Sequence, residues 1–148
     1  MQGQQRFYGK YRGAVVNNVD PMQVGRVQVQ VPDVSGVLPT SWAMPCLPVA
    51  GAQMGLYAVP PVGANVWVEF EQGDPDYPIW VGCFWNTAGE VPAPVRTAPP
   101  GLSHIALSAA GASILVNDTG IYIDNGKGAR IAMTGPAVTV NDGALAVI

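Results

Sequence analysis

The sequence predicts an all-β protein in two parts: an N-terminal antiparallel barrel, then a C-terminal shaft built as a β-helix or β-prism from three copies of the chain. Three observations carry this. Eighteen Gly and fourteen Pro in 148 residues disfavour long helices, and no window holds apolar residues at sustained 3.6-residue spacing. Apolar and polar residues alternate in short runs along most of the chain, the period of a strand with one buried face. From residue 102 onward these runs return about every eight residues, and a fixed short period marks a repeat architecture.

Taken in order, residues 1–11 form an arm, polar first and then aromatic at Phe7, Tyr8 and Tyr11. It either lies on a neighbouring subunit or partner, or folds over its own domain. Residues 12–85 are the barrel. Gly13 to Asn17 is the first strand, and Asp20-Pro21 initiates the connection because both residues favour turns. Arg26 to Val31 returns with Val27, Val29 and Val31 on the core side. A loop-rich stretch follows, with strand-like pieces at Trp42-Ala43-Met44 and Leu56-Tyr57-Ala58-Val59. Asn65 to Glu71 alternates again, Gln72 to Asp76 is a hairpin turn, and Tyr77 to Trp85 is the last strand. Strands with no intervening helix fit a small antiparallel barrel. Residues 86–101 hold Pro92, Pro94, Pro99 and Pro100 and read as a stiff, extended linker.

Residues 102–148 are the shaft. Its apolar pairs are Ile105 and Leu107, Ile114 and Val116, Ile121 and Ile123, Ile131 and Met133, Val138 and Val140, then Leu145 and Val147. Between them stand Ala109-Ala110-Gly111, Asn117-Asp118-Thr119-Gly120, Asn125-Gly126-Lys127-Gly128, Thr134-Gly135-Pro136 and Asn141-Asp142-Gly143. These residues accept positive φ or cap a turn. One chain of such strands is a narrow sheet with nothing left in the sequence to cover its apolar face. Three chains around one axis would bury the residues from Ile105 to Val140 inward. At about 4.8 Å per strand the shaft would run roughly 25 to 30 Å. The plainer alternative is a monomeric meander packed on the N-terminal domain.

Hydrophobic residues make up 49% and charged residues 11%, less than half the charge of an ordinary soluble domain, so an assembly is expected to bury much of the surface. Net charge is −3 with seven Lys and Arg and no basic cluster, which argues against a nucleic-acid partner. No apolar run is long enough to span a membrane, and the start lacks signal-peptide features, so assembly in a cytoplasm is expected. Cys46 and Cys83 have no further thiol or His at metal-ligand spacing. They are expected as buried free thiols, or as a disulfide if their strands are neighbours.

No constellation supports an enzyme, a metal site or a cofactor. Glu69 and Glu71 share a strand face and read as a solvent-facing pair. Asp74 and Asp76 alternate as in a calcium loop, but the later ligands are missing, so a hairpin turn is the better reading. Ser103 and His104 are adjacent, hence on opposite faces of a strand, and cannot act as nucleophile and base. Three copies of His104 near a trimer axis would be a candidate ion site. A second hypothesis is a free-standing binding module for single-stranded nucleic acid or carbohydrate that stacks bases or sugars on Trp42, Trp67, Trp80 and Trp85; the acidic balance counts against it.

Several runs also carry a resemblance. They are Tyr11 to Val16, Asp20-Pro21 with Gly25 to Val29, Trp42 to Cys46, Val59 to Glu71, and Gly73 to Gly82. Together they closely resemble the N-terminal OB-fold domain of contractile-tail spikes, a family that includes phage baseplate assembly protein V, the valine-glycine-repeat spike of type VI secretion and the spikes of extracellular injection particles. Residues 102–148 are similar to the family's trimeric β-helix shaft in pattern. The resemblance implies a mechanical, non-enzymatic spike below a hub trimer, driven through the target envelope when the sheath contracts. Residues 86–101 leave no room for the lysozyme domain of some members. A single His104 leaves no histidine-rich, iron-holding tip. The apolar end Leu145, Ala146, Val147 and Ile148 is the expected seat of a small conical tip protein of the PAAR-repeat type.

Overall fold

Alternating valines set the first unit. In the computed structural model, which describes residues 5–102 and 104–147, strands β1 (Tyr11–Asn17), β2 (Gln28–Gln30), β3 (Met44–Pro45), β6 (Asn65–Phe70) and β7 (Pro78–Phe84) form one sheet in the order β2-β1-β6-β7-β3. The pairs are antiparallel except β3 with β7, which is parallel. The sheet then closes on itself. Val27 N donates to Ala43 O (3.2 Å), Ala43 N to Val27 O (2.7 Å) and Thr40 N to Val29 O (2.8 Å), which joins the segment leading into β3 to the strand at the far edge. Closure removes the free edges that an open sheet would expose.

Val15, Val27, Val29, Val31, Val66 and Val68 are almost wholly buried, with Ala43, Phe70 and Trp80 beside them. Branched, stiff side chains fill a narrow barrel at little entropic cost. Gly13 points into the same space; a Cβ there would stand 3.1 Å from Gln30 O and 3.2 Å from Val68 Cγ2. A bulge between Trp67 and Val68 of β6 and Gly82 and Trp80 of β7 adds the local twist that curls the sheet. Phe7 closes one end against Tyr11 and Phe70, with ring centroids 6.1 Å from each. Its N–H donates to Gly73 O, and Arg6 pairs with Asp74 at 3.1 Å. This part of the arm therefore folds over its own domain.

The β1–β2 connection is organised by one carboxylate. Asp20 Oδ1 accepts from Met22 N and from Nε and Nη2 of Arg26, and Oδ2 accepts from Val24 N and Arg26 N, all within 3.2 Å. The Arg26 guanidinium, then the backbone N–H groups, outweigh partial desolvation and hold the carboxyl far below the usual carboxylate range.

Three expectations are corrected here. Leu56 to Val59 is not a strand; the ladder nearby is a hairpin of β4 (Ala50–Gly51) and β5 (Met54–Gly55), turned by Gln53 at φ 58°. Leu56 and Tyr57 are exposed, so no packed face holds them extended. Cys46 and Cys83 are exposed free thiols, not buried ones: Cys83 lies past Trp80, the last buried residue of its strand, and Cys46 follows β3, which buries no residue. Partial shielding of the sulfur still raises the Cys83 thiol. The segment after β7 is not extended throughout: Ala88–Glu90 makes a 3-10 turn and Ala93–Arg96 a single helical turn, because Pro at a first helical turn costs nothing.

The second unit lies within residues 87–148. It is a six-stranded antiparallel meander: β8 (Ile105–Ala109), β9 (Ala112–Asn117), β10 (Gly120–Asp124), β11 (Arg130–Thr134), β12 (Ala137–Val140) and β13 (Leu145–Val147), each strand paired only with its chain neighbours. The connections fall on the glycine and Asx runs of the sequence. Ala110 and Gly111 take φ 50° and 87°, the twist a two-residue hairpin needs. Asn117 Oδ1 accepts from Thr119 N and Gly120 N, and Asn125 Oδ1 from Lys127 N and Ala129 N. Gly126 has no room for a side chain, since a Cβ would stand 2.5 Å from Gly111 O.

Candidate functional site

In an antiparallel ladder, residues directly opposite share a face. The register pairs Ile105 with Val116 and Leu107 with Ile114. It then pairs Val116 with Ile121 and Ile114 with Ile123, Ile121 with Met133 and Ile123 with Ile131, and Met133 with Val138 and Ile131 with Val140. All ten residues anticipated for the shaft interior thus lie on one face of one sheet. Leu145 joins them opposite Val140, as does the backbone position of Val147 opposite Val138.

That face is uncovered. Ile105 is 65% exposed, Leu107 62%, Ile121 37% and Leu145 61%, and none of the described residues of this unit is buried. The opposite face carries Ala106, Leu115, Tyr122, Ala132 and Thr139 in one row and Ser113, Asp124 and Arg130 in another, so the two faces differ in kind. A continuous apolar face of this extent marks an interaction surface. Its chemistry is burial alone: it has no charge or hydrogen-bonding group to satisfy, and each Ile or Leu taken fully out of water contributes about 2 kcal/mol. Of the anticipated tip-binding residues, Leu145 is exposed on this face. The side chains of Ala146 and Val147, and all of Ile148, lie outside the described residues.

The remaining candidates are dispersed. Glu69 pairs with Lys10 at 2.6 Å. Asp74 takes Arg6 and, through Oδ1, the N–H of Asp76, a turn rather than a cation loop. Among the described residues no group of three or more His, Cys, Asp or Glu side chains could hold a metal ion. His104 precedes β8 with both ring nitrogens buried and unpartnered, in a cavity of about 400 Å³; Ser103 lies outside the described residues. The four tryptophans share no platform. Trp80 is in the core and donates Nε1–H to Gly25 O at 3.1 Å. Trp67 lies 4.7 Å from Phe84 with the Arg12 guanidinium 5.0 Å above its ring, Trp42 faces Arg26 at 5.5 Å, and Trp85 is exposed. A row of stacked bases or sugars would need these rings side by side. No helix among the described residues is long and apolar enough to cross a membrane.

Comparison with known families matches both units. Residues 11–85 match the family described as the type VI secretion system/phage-baseplate injector OB domain. Residues 96–146 match the phage baseplate V C-terminal trimerisation domain.

Proposed function

The chain belongs to the baseplate spike family of phage tails and type VI secretion injectors, and from this we propose that it is the central, non-enzymatic spike of such a machine, working as a homotrimer. The observation that carries the reading is the apolar face from Ile105 to Val140, left open to water at Ile105, Leu107, Ile121, Ile123 and Ile131. Three copies of that face, turned toward a common axis, bury one another and close the shaft as a β-helix or prism over residues 102–148. Residues 12–85 form the OB barrel that meets a tube or baseplate hub, with residues 1–11 as its arm and residues 86–101 as the linker. Contraction drives the shaft through the target envelope. Its stiffness comes from ladder hydrogen bonds around a dry axis. Leu145 to Ile148 seats a PAAR-type tip protein. Assembly takes place in a bacterial cytoplasm, before the machine meets its target.

Light scattering on the full chain and on a chain stopped at Gly101 tests this. The expected masses are about three times 15.4 kDa for the full chain and a monomer for the shortened one. A monomeric full chain would remove the spike reading.

A further inference from the structure

The turn between β10 and β11 holds the one asparagine of the chain that is followed by glycine, Asn125 before Gly126. Two backbone donors meet its amide oxygen: Lys127 N at 2.8 Å and Ala129 N at 3.0 Å. A carboxylate stands at the next peptide, where Asp124 Oδ1 accepts the Gly126 N–H at 2.6 Å. Asn125 and Gly126 are both exposed, so water reaches the turn. These are the parts of an acyl transfer: a nitrogen with a base on its proton, a carbonyl carbon next to it in the chain, and N–H groups on the carbonyl oxygen. An Asx turn folds the side chain back over the peptide that follows. Carbon and nitrogen are thereby held together with no encounter to wait for.

We propose that Asn125 is a self-modification site, converted to aspartate through attack of the Gly126 nitrogen on the Asn125 amide carbon. Asp124 takes the Gly126 amide proton as the N–Cγ bond forms, and the oxyanion rests on Lys127 N and Ala129 N. Collapse breaks the Cγ–Nδ2 bond. The proton passes from Asp124 to the leaving nitrogen, and ammonia departs from a succinimide ring. Water is the only co-reactant, and it opens that ring. The same two N–H groups polarise Cγ rather than the backbone carbonyl, so water adds at Cγ, returns the hydrogen to Gly126 N and leaves ordinary aspartate. The product fits the turn, since a carboxylate accepts from Lys127 N and Ala129 N more strongly than an amide does. Isoaspartate would lengthen the backbone next to Gly126, where a Cβ alone would stand 2.5 Å from Gly111 O. Asn117 is the contrast within the same sheet. Its Oδ1 accepts from Thr119 N and Gly120 N, but Asp118 follows it and a side chain crowds the attacking nitrogen. The inference stands apart from the spike reading, since the turn is complete within one chain.

Peptide mapping by mass spectrometry tests it, on the full chain held at neutral pH in buffer and, in parallel, in urea. In buffer, position 125 should become aspartate faster than in urea, with isoaspartate a minor product and Asn117 unchanged. In urea isoaspartate should dominate, because nothing then directs water to Cγ. Asp124→Asn keeps an acceptor for the Gly126 N–H but loses the base. It should slow conversion in buffer about tenfold or more, with the mass by light scattering unchanged. Conversion no faster in buffer than in urea, isoaspartate as the main product in buffer, or an undiminished rate in Asp124→Asn would overturn the proposal. None of these outcomes would touch the spike reading, which the trimer mass decides.

Discussion

Both halves of the chain are short strands with alternating apolar residues, yet they end in opposite states. In the barrel, Val66 and Val68 are fully buried, while in the C-terminal sheet Ile121 and Ile123 keep 37% and 41% of their surface in water. The strand pattern is the same; the topology differs. The barrel's strands pair out of sequence order and close through Val27 and Ala43, so one chain supplies both sides of its core. The meander's strands pair only in sequence order, so the sheet stays open and single-layered. Alternation decides which residues want burial. Connection decides whether the chain can bury them itself or must find copies.

Breaking the contrast is the largest expected effect. Ile123→Asp places a charge on every copy of the uncovered face, where burying an unpaired charge is costly. The trimer should be lost by light scattering while barrel tryptophan fluorescence stays native; an intact trimer would defeat the packed-axis account. Val68→Ala acts on the other side. It should cost the barrel about 2 kcal/mol in denaturant unfolding and leave the mass unchanged. Gly120→Ala brings a methyl group against the Met133 carbonyl oxygen across the ladder. It should destabilise the C-terminal sheet by about 1–2 kcal/mol, read as earlier dissociation of the trimer on dilution.

Two smaller effects sharpen the comparison. The Asp20 carboxyl, with its depressed folded-state pKa, adds stability that is present above the ordinary carboxylate range and lost only as pH falls through the folded value. Asp20→Asn should therefore lower the barrel's melting temperature at neutral pH. The gap from wild type should narrow only in strong acid, with no matching change in trimer mass. Thr139→Asp, on the meander's other face, should shift stability by no more than about 0.5 kcal/mol and leave the trimer intact by light scattering. A trimer broken by it would mean that the two faces are not distinct.

Much of this was legible in the sequence, for reasons that differ by region. The meander could be read because its turns are chemically marked: Asn117 and Asn125 each cap a turn with a side chain, Asn141 Oδ1 accepts from Arg130 N across the ladder, and Gly111, Gly126 and Gly135 take positive φ. The apolar face followed from alternation alone. The barrel's valines were visible for the same reason. The parallel seam of β3 on β7 was not, since a two-residue strand carries no periodicity. Leu56 to Val59 has strand-like composition but makes no ladder beyond the bond from Leu56 N to Val49 O, and composition alone does not reveal that. The row of Ser113, Asp124 and Arg130 lay hidden because register, not spacing along the chain, brings them together.

The sequential pairing of the meander also makes its length adjustable. Each hairpin touches only the strands before and after it in the chain, so one can be inserted or deleted without disturbing the register of the rest. Two strands at a time preserve strand direction and keep every apolar pair on the same side, and each such step changes the reach by about 9–10 Å. The sheet is in effect a ruler with hairpin graduations: duplication or loss of a short segment resets its length while the barrel stays as it is.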